Sequence, residues 1–346
     1  MHIPTFTPAV RAAKPIVSCG KRSSLQLLAA LPLLCCSLLT LPAHAADDAY
    51  PSKPIKIIVP YPPGGASDIT ARVIGQKLSE AWKQPVLVEN RAGASGIIGT
   101  DVVAKSQPDG YTLGLVASTH AANQGLFKKL PYDTLKDFTP VVMTASVQLV
   151  LVTSQAFPAK SVKELIAMAG AKPGEITYAS SGPGSAPHLF AEMFSQMTKV
   201  KMTHVPYKGS TAAHPDLIAG QVSVMFDTVP AVLSQIKSGR LRPLAVGGAK
   251  RSAQLPDVPT LAEAGVPGYA ATSWGGVLAP AGTPPAVVSK LNKEIVHILN
   301  LPDVRERLAG MGAEPVGGTS AQFADMLHSE TVRFGKLVKD IGLTLD

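Results

Sequence analysis

Between residues 55 and 247 short β-rich runs alternate with helical periodicity, and this alternation limits the folds open to the chain more than any other feature. The runs IKIIVP (55–60), PVLVE (85–89), YTLGLVA (111–117), ITYAS (176–180), KMTHVP (201–206), VSVMFD (222–227) and LRPLAVG (241–247) are each bounded by Pro, Gly or Asp, as strands are. Apolar residues three or four apart, such as Ile69, Val73, Ile74 and Leu78, mark helices between them. Such alternation predicts an α/β fold with largely parallel sheets covered by helices on both faces.

The first 45 residues stand outside this pattern. Arg11, Lys14, Lys21 and Arg22 form a cationic segment without an acid, Leu25 to Leu41 an apolar one, and Ala43-His44-Ala45 a small-x-small site. This order reads as an export signal, with the mature chain starting at Ala46. Pro32 interrupts the apolar run and argues against a retained anchor; Leu34 before Cys35 argues against a lipoprotein. All three cysteines, Cys19, Cys35 and Cys36, fall within the signal, so disulfide and thiol chemistry are not expected of the exported protein. Without its four basic residues the chain keeps 28 Lys and Arg against 24 Asp and Glu, with no basic run, which reads as a solvated surface and not a nucleic-acid footprint.

About 300 residues exceed what one core usually absorbs. Two segments look like crossings between lobes: VQLVLVTS (147–154) and TSWGGVLAPAGTP (272–284). The expected architecture is therefore one lobe of residues 50–148 plus 272–346, a second of 149–271, and a two-strand hinge with a cleft between the bodies. Helices at 286–299 and at the C-terminus complete the first lobe; Phe323, Met326, Leu327, Phe334, Leu337, Val338 and Ile341 form one apolar stripe on the latter.

The cleft is where strand-to-helix turns would carry chemistry. In VPYPPGGASDIT (59–70) the turn has neither the Lys of a P-loop nor the third glycine of a dinucleotide fingerprint, which points to a ligand smaller than a nucleotide. Tyr61 lies in the turn; Gly64 and Gly65 allow backbone N–H groups to face outward, and the helix beginning near Ala66, Ser67 or Asp68 adds its positive dipole end, a setting for a carboxylate. An ordinary capped turn has the same residues. YASSGPGSAPHLFAEMF (178–194) repeats the device with Ser181, Gly182, Gly184 and Ser185. Ser118 and Thr119, then Tyr207 and Lys208, and Asp227 end other strands and are further candidates, each equally readable as a turn or cap. Gly65 and Gly184 are expected to be where an added Cβ does most damage. Trp274 reads as hinge core. Ser185, His188 and Asp227 include the letters of a hydrolase triad but lack G-x-S-x-G, and His188, His204 and His214 lack metal-ligand spacing.

Beyond those two loops, VENRAGASGIIGTDVVAKSQPDGYTL, LPYDTLKDFTPV, VPYKGSTAA, LAVGGAKRS, LPDVPTLAEAGVPGY and WGGVLAPAGTP follow in order. Together these blocks resemble the Bug-type substrate-binding proteins of tripartite tricarboxylate transporters over essentially the whole mature chain. The resemblance implies a periplasmic binding protein of Venus-flytrap, type II-like architecture, monomeric and without cofactor or metal. It would bind a mono-, di- or tricarboxylate, acidic amino acid or aromatic acid between its lobes and deliver it to membrane permease subunits. The ligand carboxylate would be held by backbone and hydroxyl groups, carried over here to Gly64, Gly65, Ala66 and Asp68 and to Ser181, Gly182, Gly184 and Ser185. His214-Pro215 departs from the pattern. A sensor for a signalling kinase would use the same cleft, and a secreted small-ester hydrolase is the enzymatic alternative.

Overall fold

The structure, a computed structural model, describes residues 50–345; the expected export segment lies outside them. In chain order its elements are β1 (Ile55–Val59), α1 (Ala66–Trp82), β2 (Val86–Asn90), α2 (Ile97–Ala104), β3 (Thr112–Ala117), α3 (Thr119–Leu126), β4 (Phe138–Ser154), α4 (Val162–Ala171), β5 (Thr177–Ser180), α5 (Ala186–Thr198), β6 (Thr203–Pro206), α6 (Ser210–Ile218), β7 (Val224–Thr228), α7 (Val229–Lys237) and β8 (Leu241–Val246). They continue with β9 (Thr272–Pro280), α8 (Pro285–Leu299), α9 (Pro302–Gly310), β10 (Ala313–Gly317) and α10 (Ser320–Ile341).

β4 organises the molecule. Its first part pairs antiparallel with β9 and β10, and from Leu149 onward it pairs antiparallel with β7 and β8. One strand thus belongs to two sheets, and the strand path runs β2-β1-β3-β9-β4-β7-β5-β6. β1, β2 and β3 are mutually parallel, as are β6, β5 and β7. The crossing strands break the parallel pattern because a chain that leaves one lobe and returns must run back: β9 inserts antiparallel between β3 and β4.

Local chemistry accounts for the elements. Ile55, Ile57, Ile58 and Val59 of β1 are all buried, the mark of a strand covered on both faces. Against it lie Val73, Ile74 and Leu78 of α1. α10 starts with a reciprocal capping box between Thr319 and Gln322 and stops at Gly342, whose φ of +66° ends the helix in the left-handed region.

α10 also joins the lobes. Near its start Phe323 meets Trp274 edge-on, ring centroids 5.7 Å apart, under β9. Farther along, Phe334 stacks on Phe190 of α5, Arg333 Nη1 donates to Ala270 O (2.8 Å), and Asp340 accepts from Gln196 Nε2 (2.8 Å). One hydrophobic core therefore runs from Phe138 and Phe323 through Phe334 to Phe190, Phe194 and Phe226, while separate cores fill the outer face of each sheet. The fold is two-lobed and type II-like, and α10 ties its halves together beside the two chain crossings.

Candidate functional site

At the carboxyl end of β1, the turn is knotted by Asp68. Its carboxylate accepts from Gly64 N–H (2.9 Å), Arg72 Nε (3.1 Å) and Asn90 Nδ2 (2.9 Å), and Asn90 also donates to Tyr61 O. Burial alone would raise the Asp68 pKa, but those hydrogen bonds and the Arg72 charge outweigh it and hold the carboxyl below its ordinary value. The Tyr61 hydroxyl accepts from Ala117 N–H (2.9 Å) and pairs with Thr119 Oγ1 (3.0 Å); Ser118 Oγ lies 3.1 Å from Ser273 Oγ. Tyr61, Gly64, Asp68, Ser118 and Thr119 are thus brought together as a frame around the start of α1.

The glycine expectation changes at this loop. Gly64 has φ +84°, whereas Gly65 is extended (φ −79°, ψ 169°) and an added Cβ there would meet only Pro62 O at 3.8 Å. The left-handed residue is the first glycine and not the second. Gly65 leaves the end of α1 without a side-chain cap, and the helical ladder starts with Ile69 N–H to Gly65 O. The N–H groups of Ala66, Ser67 and Asp68 precede that ladder.

Ala66 and Ser67 of this first turn line a small cavity, together with Thr70 of α1, Thr144 of β4, and Ser273 and Gly275 of β9. None of the residues lining it is charged. Thr144 is fully buried, and its Oγ1 has no hydrogen-bond partner among the described residues. A helix N-terminus and four hydroxyls, one of them the unpartnered Thr144 Oγ1, suit a small anion whose carbon skeleton rests on apolar walls such as Trp274 and Val147. Trp274, 3% exposed, packs edge-on against Phe323. Thr70 and Ser273 lie inside stretches that the sequence singles out, but nothing there points to their hydroxyls, and Thr144 lies in no such stretch; only the pairing of β4 with β9 brings the last two to one cavity.

In the second lobe, the loop after β5 is bonded to itself. Gly182 N–H donates to Ser180 Oγ (3.1 Å), Gly184 N–H to His188 Nδ1 (3.0 Å), and Ser185 donates to Gly182 O from both N–H (3.2 Å) and Oγ (2.6 Å). The α5 ladder begins with Leu189 N–H to Ser185 O, so the Ala186 and His188 amides precede it. Ser181 is partly exposed beside them. Gly182 and Gly184 have positive φ (+124° and +72°). Around Gly184 the chain is tight: a Cβ would meet Leu345 Cδ1 at 2.7 Å and Leu126 Cδ1 at 3.0 Å. No hydrogen bond links this loop to the α1 loop among the described residues.

The remaining candidates sit apart from the α1 cavity. The Tyr207 hydroxyl donates to Asp216 Oδ2 (2.7 Å), and burial with that carboxylate pushes its pKa up to about 12. Asp227, 1% exposed, receives Ser210 Oγ (2.9 Å) and Thr228 N–H (2.7 Å) and lies 2.8 Å from His214 Nε2. His214 thereby ties α6 to β7, which gives the unusual His-Pro pair a place in the packing. Lys208 is exposed and makes no hydrogen bond or ion pair among the described residues. Among the described residues, no three His, Cys, Asp or Glu side chains gather to hold a metal, and no helix is long and apolar enough to cross a membrane.

Residues 70–343 match the family described as tripartite tricarboxylate transporter family receptor. Protein BugT of Bordetella pertussis is 43% identical over 305 residues, 88% of this chain and 94% of the relative. Among solved structures, R. palustris Rpa4515 with adipate is 39% identical with a TM-score of 0.74, over 86% of this chain and 100% of that one. MatC from Rhodopseudomonas palustris with bound malate is 32% identical with a TM-score of 0.71, over 84% and 100% respectively.

Proposed function

Because the chain belongs to the tripartite tricarboxylate transporter receptor family, we propose that it is a periplasmic solute receptor which closes on a small organic carboxylate and presents it to the membrane subunits of a tripartite transporter. The observation that carries this reading is the uncharged cavity at the start of α1, with the unpartnered Thr144 hydroxyl inside it. Relatives of the same fold with adipate and malate support a dicarboxylate as the first ligand to try. One carboxylate sits against the Ala66 and Ser67 amides, and the groups at the start of α5, with Ser181 and Ser185, engage the ligand from the second lobe. Asp68, Tyr61, Ser118 and Thr119 hold the first loop in shape; Tyr207 and Asp227 brace the second lobe.

A thermal-shift screen of organic acids, followed by calorimetric titration of the best, tests the reading. Saturation by a carboxylate, with mass spectrometry recovering the same compound unchanged, is the expected result; a ligand converted to product would make the cleft catalytic instead. With amides and helix ends holding the anion, Lys208→Ala should weaken binding by less than about tenfold, roughly 1.4 kcal/mol. A larger loss in that titration would replace the amide cradle by an ion pair.

The exported protein starts at Ala46 in this reading, and N-terminal sequencing of periplasmic material should return that residue first. It works as a monomer of two lobes, residues 50–148 plus 272–346 and residues 149–271, hinged where β4 and β9 cross. Solution scattering should show a smaller radius of gyration with saturating ligand; an unchanged radius would mean that binding involves no closure.

A further inference from the structure

Beneath the second-lobe loop, three rings are stacked that ligand binding as described does not use. His188 of α5 and His204 of β6 lie face to face, centroids 4.0 Å apart and 8° from parallel, and the Tyr178 ring of β5 lies nearly parallel beside the pair, 4.9 Å from His204 and 6.2 Å from His188. His204 Nε2 is 2.7 Å from Ser180 Oγ, the atom that accepts the Gly182 N–H. His188 Nδ1 accepts the Gly184 N–H at 3.0 Å. Both glycine amides of the loop therefore end on this stack, directly or through one hydroxyl.

The contact to His188 fixes its protonation. A backbone N–H can only donate, so Nδ1 must be bare and the ring proton must sit on Nε2, 4.0 Å from Glu192 Oε1. That Glu192 oxygen also accepts the Tyr178 hydroxyl. A proton added at Nδ1 would set N–H against N–H and break the link. Gly184 has little freedom to adapt, with φ +72° and with Leu126 and Leu345 against it.

We propose that His188 is the positioning residue of the second-lobe ligand loop: by accepting the Gly184 N–H it holds residues 181–185 in the ligand-competent shape, and protonation of its ring releases that shape together with the bound carboxylate. The assignment rests on the carboxylate-receptor reading. Burial, then the charge of His204, lowers the His188 pKa from 6.5 to about 4, so the bare acceptor persists at neutral pH. With the folded value below the unfolded one, the neutral ring contributes fully above about pH 6.5, and the contribution is lost as the pH falls toward 4. The titratable groups facing the ring are Glu192 from α5, His204 from β6 and Tyr178 from β5; β7 and α10 bring Phe226 and Phe334 to α5, and Asp340 of α10 meets it only at Gln196.

Asparagine separates acceptor from titration, because its Oδ1 falls near the place of a histidine Nδ1 and takes up no proton. Wild type, His188→Ala and His188→Asn are titrated calorimetrically with adipate and with malate from about pH 7.5 to pH 4, and imidazole nitrogen and Gly184 amide resonances are followed over the same range without ligand. At pH 7.5 the alanine variant should bind about tenfold more weakly than wild type, and the asparagine variant within about threefold of it. On acidification wild type should lose affinity beyond the loss seen in His188→Asn, which cancels titration of the ligand itself. The bare Nδ1 and the Gly184 amide should change together. Equal binding by His188→Ala, matching pH profiles for wild type and His188→Asn, or a proton on Nδ1 at neutral pH would each overturn the proposal. If wild type binds no carboxylate at all, the receptor reading fails, while the resonances still decide whether His188 holds the loop.

Discussion

Gly275→Val should abolish measurable carboxylate binding and leave a protein that still melts cooperatively, close to wild type. Gly275 lines the α1 cavity, and a Cβ there would lie 3.1 Å from Thr144 Oγ1 with only ordinary contacts elsewhere. The strand can therefore carry a side chain at this place if Thr144 gives by a few tenths of an ångström, but the added methyls occupy the space opposite the Ala66 and Ser67 amides. The loss should exceed about a hundredfold, and Gly275→Ala should fall between the variant and wild type. Calorimetric titration beside a circular-dichroism melt separates the two effects; a valine variant that binds normally would place the ligand elsewhere in the cleft.

The next residue should give the opposite outcome. Successive side chains on a strand point to opposite faces, and a Cβ on Gly276 would lie 2.1 Å from Phe323 Cζ and under 3 Å from two more atoms of that ring. Phe323 is 1% exposed and wedged against Trp274, so it has nowhere to retreat without moving α10 off the sheet. Gly276→Val is expected to cost at least about 3 kcal/mol, the upper end for an overfilled core, or to prevent folding. Denaturant unfolding measures it. Pairing Gly276→Ala with Phe323→Leu should cost less than the sum of the two single changes, because the smaller ring vacates the contested volume. A Gly276→Val protein as stable as wild type would mean that α10 does not pack as described.

Much of this architecture can be read in the sequence because buried parallel strands advertise themselves. β1, β3 and β7 are runs of Ile, Leu, Val, Met and Phe closed by a turn residue, and each appears within two residues of its expected limits. β10 escapes, since Ala313-Glu314-Pro315-Val316-Gly317 has a Pro and no apolar alternation; it is a strand only through its pairing with β4. The front of β4 escapes for a related reason: Thr139, Pro140, Thr144 and Ser146 interrupt the apolar run, so the sequence places the start of the crossing at 147 when the strand begins at Phe138. At the site, the loops are visible as glycine-rich turns, but which glycine is left-handed depends on backbone angles that letters do not encode, as Gly64 and Gly65 show. Thr144 and Ser273 line one cavity through the pairing of β4 with β9, which letters do not encode either.

The place of β9 has a consequence for the order in which the protein can fold. Gly114 of β3 faces Leu278 of β9, so the first lobe pairs strands that the whole second lobe separates along the chain, while β5, β6, β7 and β8 find their partners within residues 149–246. Long-range pairing of this kind is slow. The second lobe can be complete while the first still waits for its middle strand. A chain cut just before Thr272 therefore loses the centre of a sheet and not its border, leaving β3 and β4 as facing raw edges, and such fragments should aggregate instead of surviving as a smaller soluble protein.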